Sequence, residues 1–477
     1  MDAQMTTGMN MASDSLAMAM ALALFAGAVL TLLTGSFLAR HRQLVARLIA
    51  ITALLGSAAA AVAALAGSPR RVFSDTFAVD TPTSVAALII AGATLLVITL
   101  GIDELRGHER ESEAYSLLLL AALGALVMAG ATDLLVLTVG FFLASIPLYA
   151  IIGLSRTSKS AEATLKTYLL GALFGVGLLL GVTVLYGAGG ATEYDELARA
   201  LPAVSPVIIA FGVVAVLGGL LFKAGAVPAH YWVPDAAQGA STWAAAYATT
   251  VPKVGGMIAI YRFLEEVSPG IEWSMLVAVL AAVGMTLGNL AAFLQDDPRR
   301  LLGWSTISQV GYLLLPVAVA GLSDLAAPSL LLYLAGYAVT NITAFAVIAA
   351  VPQLRVLSDY RGLVSRNPLL AVALAVSLLS LVGTPPTAVF LGKLTTFSAA
   401  WDGGFAWLTV VAAVNTVASL FYYLRWLAPA FTPDRAAGGS GTSATVRRSG
   451  YLTALVGAGG ILALGIGGGL LWELLLP

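Results

Sequence analysis

A chain of 477 residues with 59% hydrophobic and 10% charged side chains, a formal charge of −1 and a mean hydropathy of +0.93 cannot clothe a water-facing surface, because soluble domains carry about a quarter charged residues. This excludes a soluble enzyme and makes the bilayer the natural solvent. No cysteine is present, so thiolate metal sites, iron–sulfur clusters and attached c-type haem are excluded from this chain.

A membrane-crossing helix needs about 20 apolar residues. Stretches free of Asp, Glu, Lys and Arg run 15–39, 48–69, 81–102, 114–132, 134–155, 167–192 and 200–222. They resume at 236–252, 273–295, 301–323, 325–354, 367–392, 403–424 and 449–472. The eighth, short by itself, continues past Lys253 to about Tyr261. The expectation is an all-α polytopic membrane protein with about fourteen spans. Numbered in order, the odd-to-even connections hold seventeen Lys and Arg, and the even-to-odd ones hold Arg70, Arg71, Arg199 and Arg262. By the positive-inside rule both termini lie outside the cytoplasm. Asp2 and Asp14 precede the first span without any Lys or Arg, which argues against a cleaved signal peptide.

No connection is long enough for a soluble domain. The longest polar one, about 429–448, reads as a flexible cytoplasmic linker. With no Walker loop and no dinucleotide fingerprint, the chemistry is expected within the membrane, and no nucleic-acid partner is expected.

Lys223, Lys253 and Lys393 interrupt apolar spans. Lys223 precedes Gly225 and Pro228; Lys253 follows Pro252; Lys393 follows Pro385 and Pro386. A lysine at mid-membrane costs about 2.5–3.5 kcal/mol on insertion scales and normally faces a protein interior or a hydrated cavity. A proline frees a backbone carbonyl, tolerated at that depth only where protein or water satisfies it. Two readings fit these lysines: snorkelling or structural ion pairs, and a proton path. Broken helices in two separate halves favour the second, since inverted-repeat transporters build their sites there.

The stretch 221–262, LFKAGAVPAHYWVPDAAQGASTWAAAYATTVPKVGGMIAIYR, and the stretch 359–400, with VGTPPTAVFLGK at its centre, resemble subunit N of NADH:quinone oxidoreductase (respiratory complex I), of the antiporter-like membrane subunit family. DLLVLTVG at 133–140, LKTYLLGALFG at 165–175, LLGWSTISQVGYLLL at 301–315 and NTVASLFYYLR at 415–425 extend the match over about residues 70–428. The resemblance implies two inverted five-helix repeats with helices 7 and 12 broken. The divisions are then 1–113, 114–265, 266–428 and 429–477. It implies a proton path through Lys223, Lys253 and Lys393, with Lys166 at the start of helix 6. His230 and Asp235 match the PxHxWxPD turn, and Pro228, Pro252, Pro385 and Pro386 mark the breaks. It also implies residence in a bacterial inner membrane beside antiporter-like paralogues. No cofactor is expected in this chain; NADH, flavin, iron–sulfur clusters and quinone belong to partner subunits.

Two positions depart from the family. The glutamate of its fifth helix is Phe142 here, within GFFLASIPLY, and Asp133 lies nine residues earlier, about 13 Å along a helix. The tenth-helix histidine is Gln309, as in sister antiporter-like subunits. A carboxylate offsets the cost of burying a lysine charge; without it the ion-pair switch at Lys223 is weakened or lost. Three functions remain: a proton-moving subunit of a complex I-type machine, a subunit of a multisubunit cation/proton antiporter, and a non-pumping structural subunit of a hydrogenase-like relative.

Overall fold

The computed structural model describes residues 18–267, 273–433 and 446–476. Asp2, Asp14 and most of the 429–448 linker lie outside the described residues. Eighteen α-helices, three short 3-10 helices and one two-stranded hairpin make up the described fold. They are α1 (Ala19–Phe37), α2 (Leu44–Leu65), α3 (Thr81–Leu105), α4 (Glu111–Gly130), α5 (Leu134–Gly153) and α6 (Ser158–Gly189). Then come α7 (Tyr194–Ala200), α8 (Pro206–Ala224), α9 (Trp232–Gly239), α10 (Thr242–Val267), α11 (Ser274–Phe293) and α12 (Pro298–Ala318). The last are α13 (Ala326–Ala350), α14 (Leu363–Arg366), α15 (Pro368–Val382), α16 (Ala388–Asp402), α17 (Ala406–Phe431) and α18 (Arg448–Leu475). Among the described residues twelve helices are long and apolar enough to cross a membrane. Each of the fourteen apolar stretches carries a helix.

Three boundaries differ from the sequence expectation. Residues 236–239 belong to α9, the far half of the seventh span, and the eighth helix begins at Thr242. A break at Ala240–Ser241 separates the two, which an uninterrupted run of uncharged residues conceals. The twelfth span continues beyond its expected end at 392 to Asp402, so Lys393 sits inside a helix. Arg262, counted as a loop charge, lies within α10 and is buried.

Both breaks end on a left-handed glycine. Gly225 closes α8 at φ 75° and Gly383 closes α15 at φ 94°, a conformation that glycine adopts without the Cβ penalty. Each break also holds a cis bond before a proline, at Pro228 and Pro386.

On one side of the bundle, strand β1 (Arg70–Val72) pairs antiparallel with β2 (Phe77–Val79), Arg70 opposite Val79. The Phe77 ring occupies the space that a side chain at Gly130 would fill, which pins the hairpin to the end of α4. Arg262 forms the charge centre on that side. Its guanidinium donates to Asp80 at 2.7 Å and to Glu266 at 3.2 Å, and Arg71 joins Glu266 to Asp195 at 2.9 and 2.6 Å. Burial alone would raise the Asp80 carboxyl; the Arg262 charge and the Thr83 N–H outweigh it and hold it below its ordinary range. Asp80 also caps α3 by accepting from Thr83 N at 3.0 Å.

In lipid, helices associate through close packing and interhelical hydrogen bonds rather than hydrophobic burial. Helix α18 uses the first means. Gly450 lies on the Ala349–Ala350 backbone, Gly457 on Thr343, and Gly465 on the Pro386 carbonyl, so the last helix is seated on α13 and on the α15–α16 break. Helices α11, α12 and α17 use the second. Asn289 Nδ2 donates to Asn415 Oδ1 at 2.9 Å, while its Oδ1 accepts from Ser308 at 2.9 Å and Tyr422 at 3.1 Å. Removing this hub by Asn289→Ala leaves three buried groups short of a partner. At about 0.6 kcal/mol per interhelical bond on average, the three bonds give an expected loss of about 2 kcal/mol, read as a lower thermal midpoint in detergent. An unchanged midpoint would show that the three helices are held by packing alone.

Candidate functional site

The sequence PKVGG on α10 assembles half of the site. Pro252 has no N–H to donate to Ala248 O four residues back. The Lys253 amine takes that place, donating to Ala248 O at 2.6 Å. Lys253 is fully buried, with the Trp232 ring 4.5 Å from its Nζ. Gly255 allows α4 to approach at Ala125.

Lys223, in the last turn of α8, lies across the break from Lys253. Each lysine stem passes over a glycine of the other's segment: a Cβ at Gly256 would stand 3.3 Å from Lys223 Cγ, and one at Gly225 would stand 3.6 Å from Lys253 Nζ. The Lys223 amine is buried, donates to Ser145 Oγ on α5, and stands 4.8 Å from the Phe141 ring.

The second break is capped by side chains from other helices. The last four carbonyls of a helix have no partner within it. In α15, Leu379 O and Ser380 O accept from the Gly383 amide, with Thr384 also donating to Leu379 O. Leu381 O accepts from Gln309 Nε2 at 2.9 Å, and Val382 O from Lys393 Nζ at 2.9 Å. All four are satisfied, two of them by residues singled out in the sequence. The Lys393 amine also reaches Thr416 Oγ1 at 3.4 Å and stands 4.0 Å from the Tyr312 ring. Placed at a helix C-terminus, it meets the negative end of the helix dipole.

Buried polar groups occupy the space between the two breaks. Asn341 on α13 donates to Thr249 Oγ1 at 2.9 Å and Thr250 Oγ1 at 2.8 Å. Tyr337 donates to Thr249 O at 2.8 Å and to Thr306 Oγ1 at 3.1 Å. One turn further on α12, Gln309 Oε1 accepts from Tyr333 at 2.5 Å. Hydrogen bonds thus join Thr249, Tyr337 and Thr306 in one group and Tyr333, Gln309 and Leu381 O in a second, while Lys253 holds Ala248 O and Lys393 holds Val382 O. Sequence inspection missed Thr249, Tyr333, Tyr337 and Asn341; polar residues inside long apolar helices are the signal that marks them.

Lys166, Asp235 and His230 are placed differently. Lys166 is half exposed and pairs with Glu162 at 2.6 Å and Asp235 at 2.9 Å, while Arg300 holds the other Asp235 oxygen at 2.6 Å. These groups border a surface pocket of about 270 Å³. Arg300 had been counted only as a loop charge. His230 is buried in the α8–α9 turn against Tyr231 and Trp304, with ring centroids 4.2 and 5.8 Å away. Its Nδ1 and the Trp304 Nε1 have no hydrogen-bond partner among the described residues.

No ion pair among the described residues includes Lys223, Lys253 or Lys393. Phe142 sets its ring edge-on to Phe141, 5.3 Å between centroids, and packs against Gly175 of α6. Asp133 is occupied as the cap of α5, accepting from Leu135 N at 2.7 Å and Val136 N at 2.8 Å.

Residues 131–419 match the family model described as NADH:quinone oxidoreductase/Mrp antiporter, TM. The chain is 53% identical over 459 residues to the NADH-quinone oxidoreductase subunit N of Mycobacterium sp. (strain JLS), covering 96% of this chain and 98% of that protein. Among solved structures it resembles a chain of respiratory complex I from Thermus thermophilus with bound aureothin. That likeness has a TM-score of 0.80, 29% identity and coverage of 95% and 98% of the two chains. A chain of the Mrp complex from Dietzia sp. DQ12-45-1b shares the fold, with a TM-score of 0.83, 23% identity and coverage of 97% and 96%. A multi-span membrane protein with broken, lysine-bearing helices and this degree of likeness belongs to the NADH-quinone oxidoreductase subunit N family, within the NADH:quinone oxidoreductase/Mrp antiporter membrane proteins.

Proposed function

We propose that this chain is a membrane subunit of a complex I-type NADH:quinone oxidoreductase and moves protons in step with electron transfer carried out by its partners. The observation that carries the reading is the two buried amines at the ends of the proposed line, Lys253 and Lys393, which with Gln309 rest on carbonyls freed by Pro252 and by the end of α15. An amine held by a carbonyl keeps a donor contact in either protonation state, so it takes up and releases a proton without breaking an ion pair. Lys223 loads the line from the α8 break, Lys253 connects, and Lys393 delivers. Residues 114–265 and 266–428 act as inverted repeats around Pro228, Pro252, Pro385 and Pro386. Lys166 and Asp235 form a cytoplasmic rim, with His230 inside it. Both termini lie on the opposite side of a bacterial plasma membrane. NADH, flavin, iron–sulfur clusters and quinone reside in partner subunits.

A second reading has its own support. With Phe142 packed against Phe141 and Gly175, Lys223 pairs with no carboxylate among the described residues, and coupling to neighbouring subunits is weakened while the scaffold role persists. Likeness to the Mrp complex at 23% identity does not favour an antiporter over either reading.

Tagged chain purified in mild detergent should bring down flavin- and iron–sulfur-bearing NADH dehydrogenase subunits; recovery of antiporter subunits alone would sink the complex I reading. In the purified complex reconstituted into vesicles, Lys393→Met should lower the ratio of protons moved to NADH oxidised. An unchanged ratio would leave the chain as scaffold.

A further inference from the structure

We propose that Ser145 and Tyr149 on α5 form a hydroxyl relay that carries protons to the Lys223 amine, the lysine that the family pairs with a carboxylate. This deepens the proton-moving reading and rests on it.

Aromatic groups pack around Lys223. The Phe141 ring lies 4.8 Å from its Nζ. Beside it on α8, Phe222 stacks on Phe174 at 5.7 Å and tilts against Trp232 at 5.5 Å. None of these rings can accept and pass on a proton. Among the described residues, the Lys223 amine makes one side-chain hydrogen bond, to Ser145 Oγ. Ser145 in turn donates to Phe141 O at 2.6 Å, a local contact that a serine on a helix releases by rotating χ1.

One helical turn on, at i+4, Tyr149 shares the face of α5 that carries Ser145. Its position is built into the fold: a Cβ at Gly171 of α6 would lie 1.8 Å from the Tyr149 oxygen, so the glycine leaves the notch that receives it. The Tyr149 ring meets Tyr168 edge-on at 5.9 Å, and Tyr168 is 53% exposed on the outer face of α6. The hydroxyl pair therefore leads from the buried amine toward the α5–α6 surface.

The transfer balances with water as the proton source. A protonated water at that surface gives a proton to the Tyr149 oxygen as the Tyr149 O–H proton passes to Ser145 Oγ. The Ser145 proton passes to the neutral Lys223 amine, forming a new N–H bond. Both hydroxyls end neutral and reset by rotation; the amine ends as ammonium. Removing either oxygen breaks the line while leaving the packing nearly unchanged.

The test uses the intact complex reconstituted into vesicles, comparing Lys223→Met, Ser145→Ala, Tyr149→Phe and Ser145→Thr after confirming equal subunit content. Lys223→Met is expected to lower the ratio of protons moved to NADH oxidised. Ser145→Ala and Tyr149→Phe are expected to lower it to the same value, and Ser145→Thr, which keeps a hydroxyl, to retain the wild-type ratio. If Lys223→Met lowers the ratio while Ser145→Ala and Tyr149→Phe do not, the relay is overturned and the proton-moving reading stands. If Lys223→Met leaves the ratio unchanged, that reading falls and the relay with it. A loss in Ser145→Thr equal to that in Ser145→Ala would reduce Ser145 to a packing role.

Discussion

Phe142→Glu will keep its new carboxylate in the membrane only while Lys223 is present, and Phe142→Glu with Lys223→Met will lose about 3–5 kcal/mol relative to the single variant. The figure is the cost of leaving one member of a buried pair without its partner. Position 142 adjoins Phe141, whose ring already lies 4.8 Å from the Lys223 amine, so a glutamate there has a cation within reach. Lys223→Met alone should be tolerated, because no carboxylate is stranded when the amine is removed. The four proteins form a double-mutant cycle that isolates the pairing term, read as thermal midpoints in detergent. Equal midpoints for Phe142→Glu with and without Lys223 would mean that the carboxylate turns toward Gly175 and never meets the amine. The same single variant speaks to transport. If the missing acid weakens coupling at Lys223, Phe142→Glu should raise the proton-to-NADH ratio, and no change would count against the weakened-channel reading.

Pro252→Ala should separate stability from transport in the opposite sense. An interior proline costs a helix about 3 kcal/mol, and alanine restores the N–H that belongs on Ala248 O. That amide then competes with Lys253 Nζ, which donates to the same oxygen at 2.6 Å. Losing a hydrogen bond from a charged group costs about 1.5–3 kcal/mol, so the helix gain matches or exceeds the loss. The thermal midpoint should hold or rise while the proton-to-NADH ratio falls, because Lys253 loses the acceptor that fixes it across the break from Lys223. A fall in midpoint with transport intact would show that Pro252 serves packing and that the carbonyl contact is incidental.

These two positions mark what kind of information was legible before the fold. Phe142 stood out by comparison with a family pattern, yet its ring contacts with Phe141 and Gly175 did not. Pro252 announced a freed carbonyl, and the adjacent Lys253 was an evident candidate to fill it, since both lie within one turn of one helix. Lys393 and Gln309 were singled out for their place in motifs, but their shared task of capping α15 joins residues up to 72 positions apart. Arg300 and Arg262 were read as loop charges and turned out to anchor Asp235 and Asp80. The β hairpin of 70–79 was not anticipated at all: two strands of three residues are too short to establish a period.

The amino-acid sequence by itself determined the solvent, the apolar spans, the two broken helices and the lysines set within them. The reason is that each rests on a local rule: a run of apolar side chains partitions into lipid, glycine and proline interrupt a backbone ladder, and a cation there must face inward. Only the tertiary structure decided which oxygen each amine meets, that all four terminal carbonyls of α15 are satisfied, and that Gly465 of α18 seats on the Pro386 carbonyl. Those contacts arise where helices far apart in the chain cross, and the crossing geometry comes from packing many small faces at once, which no single stretch of sequence encodes.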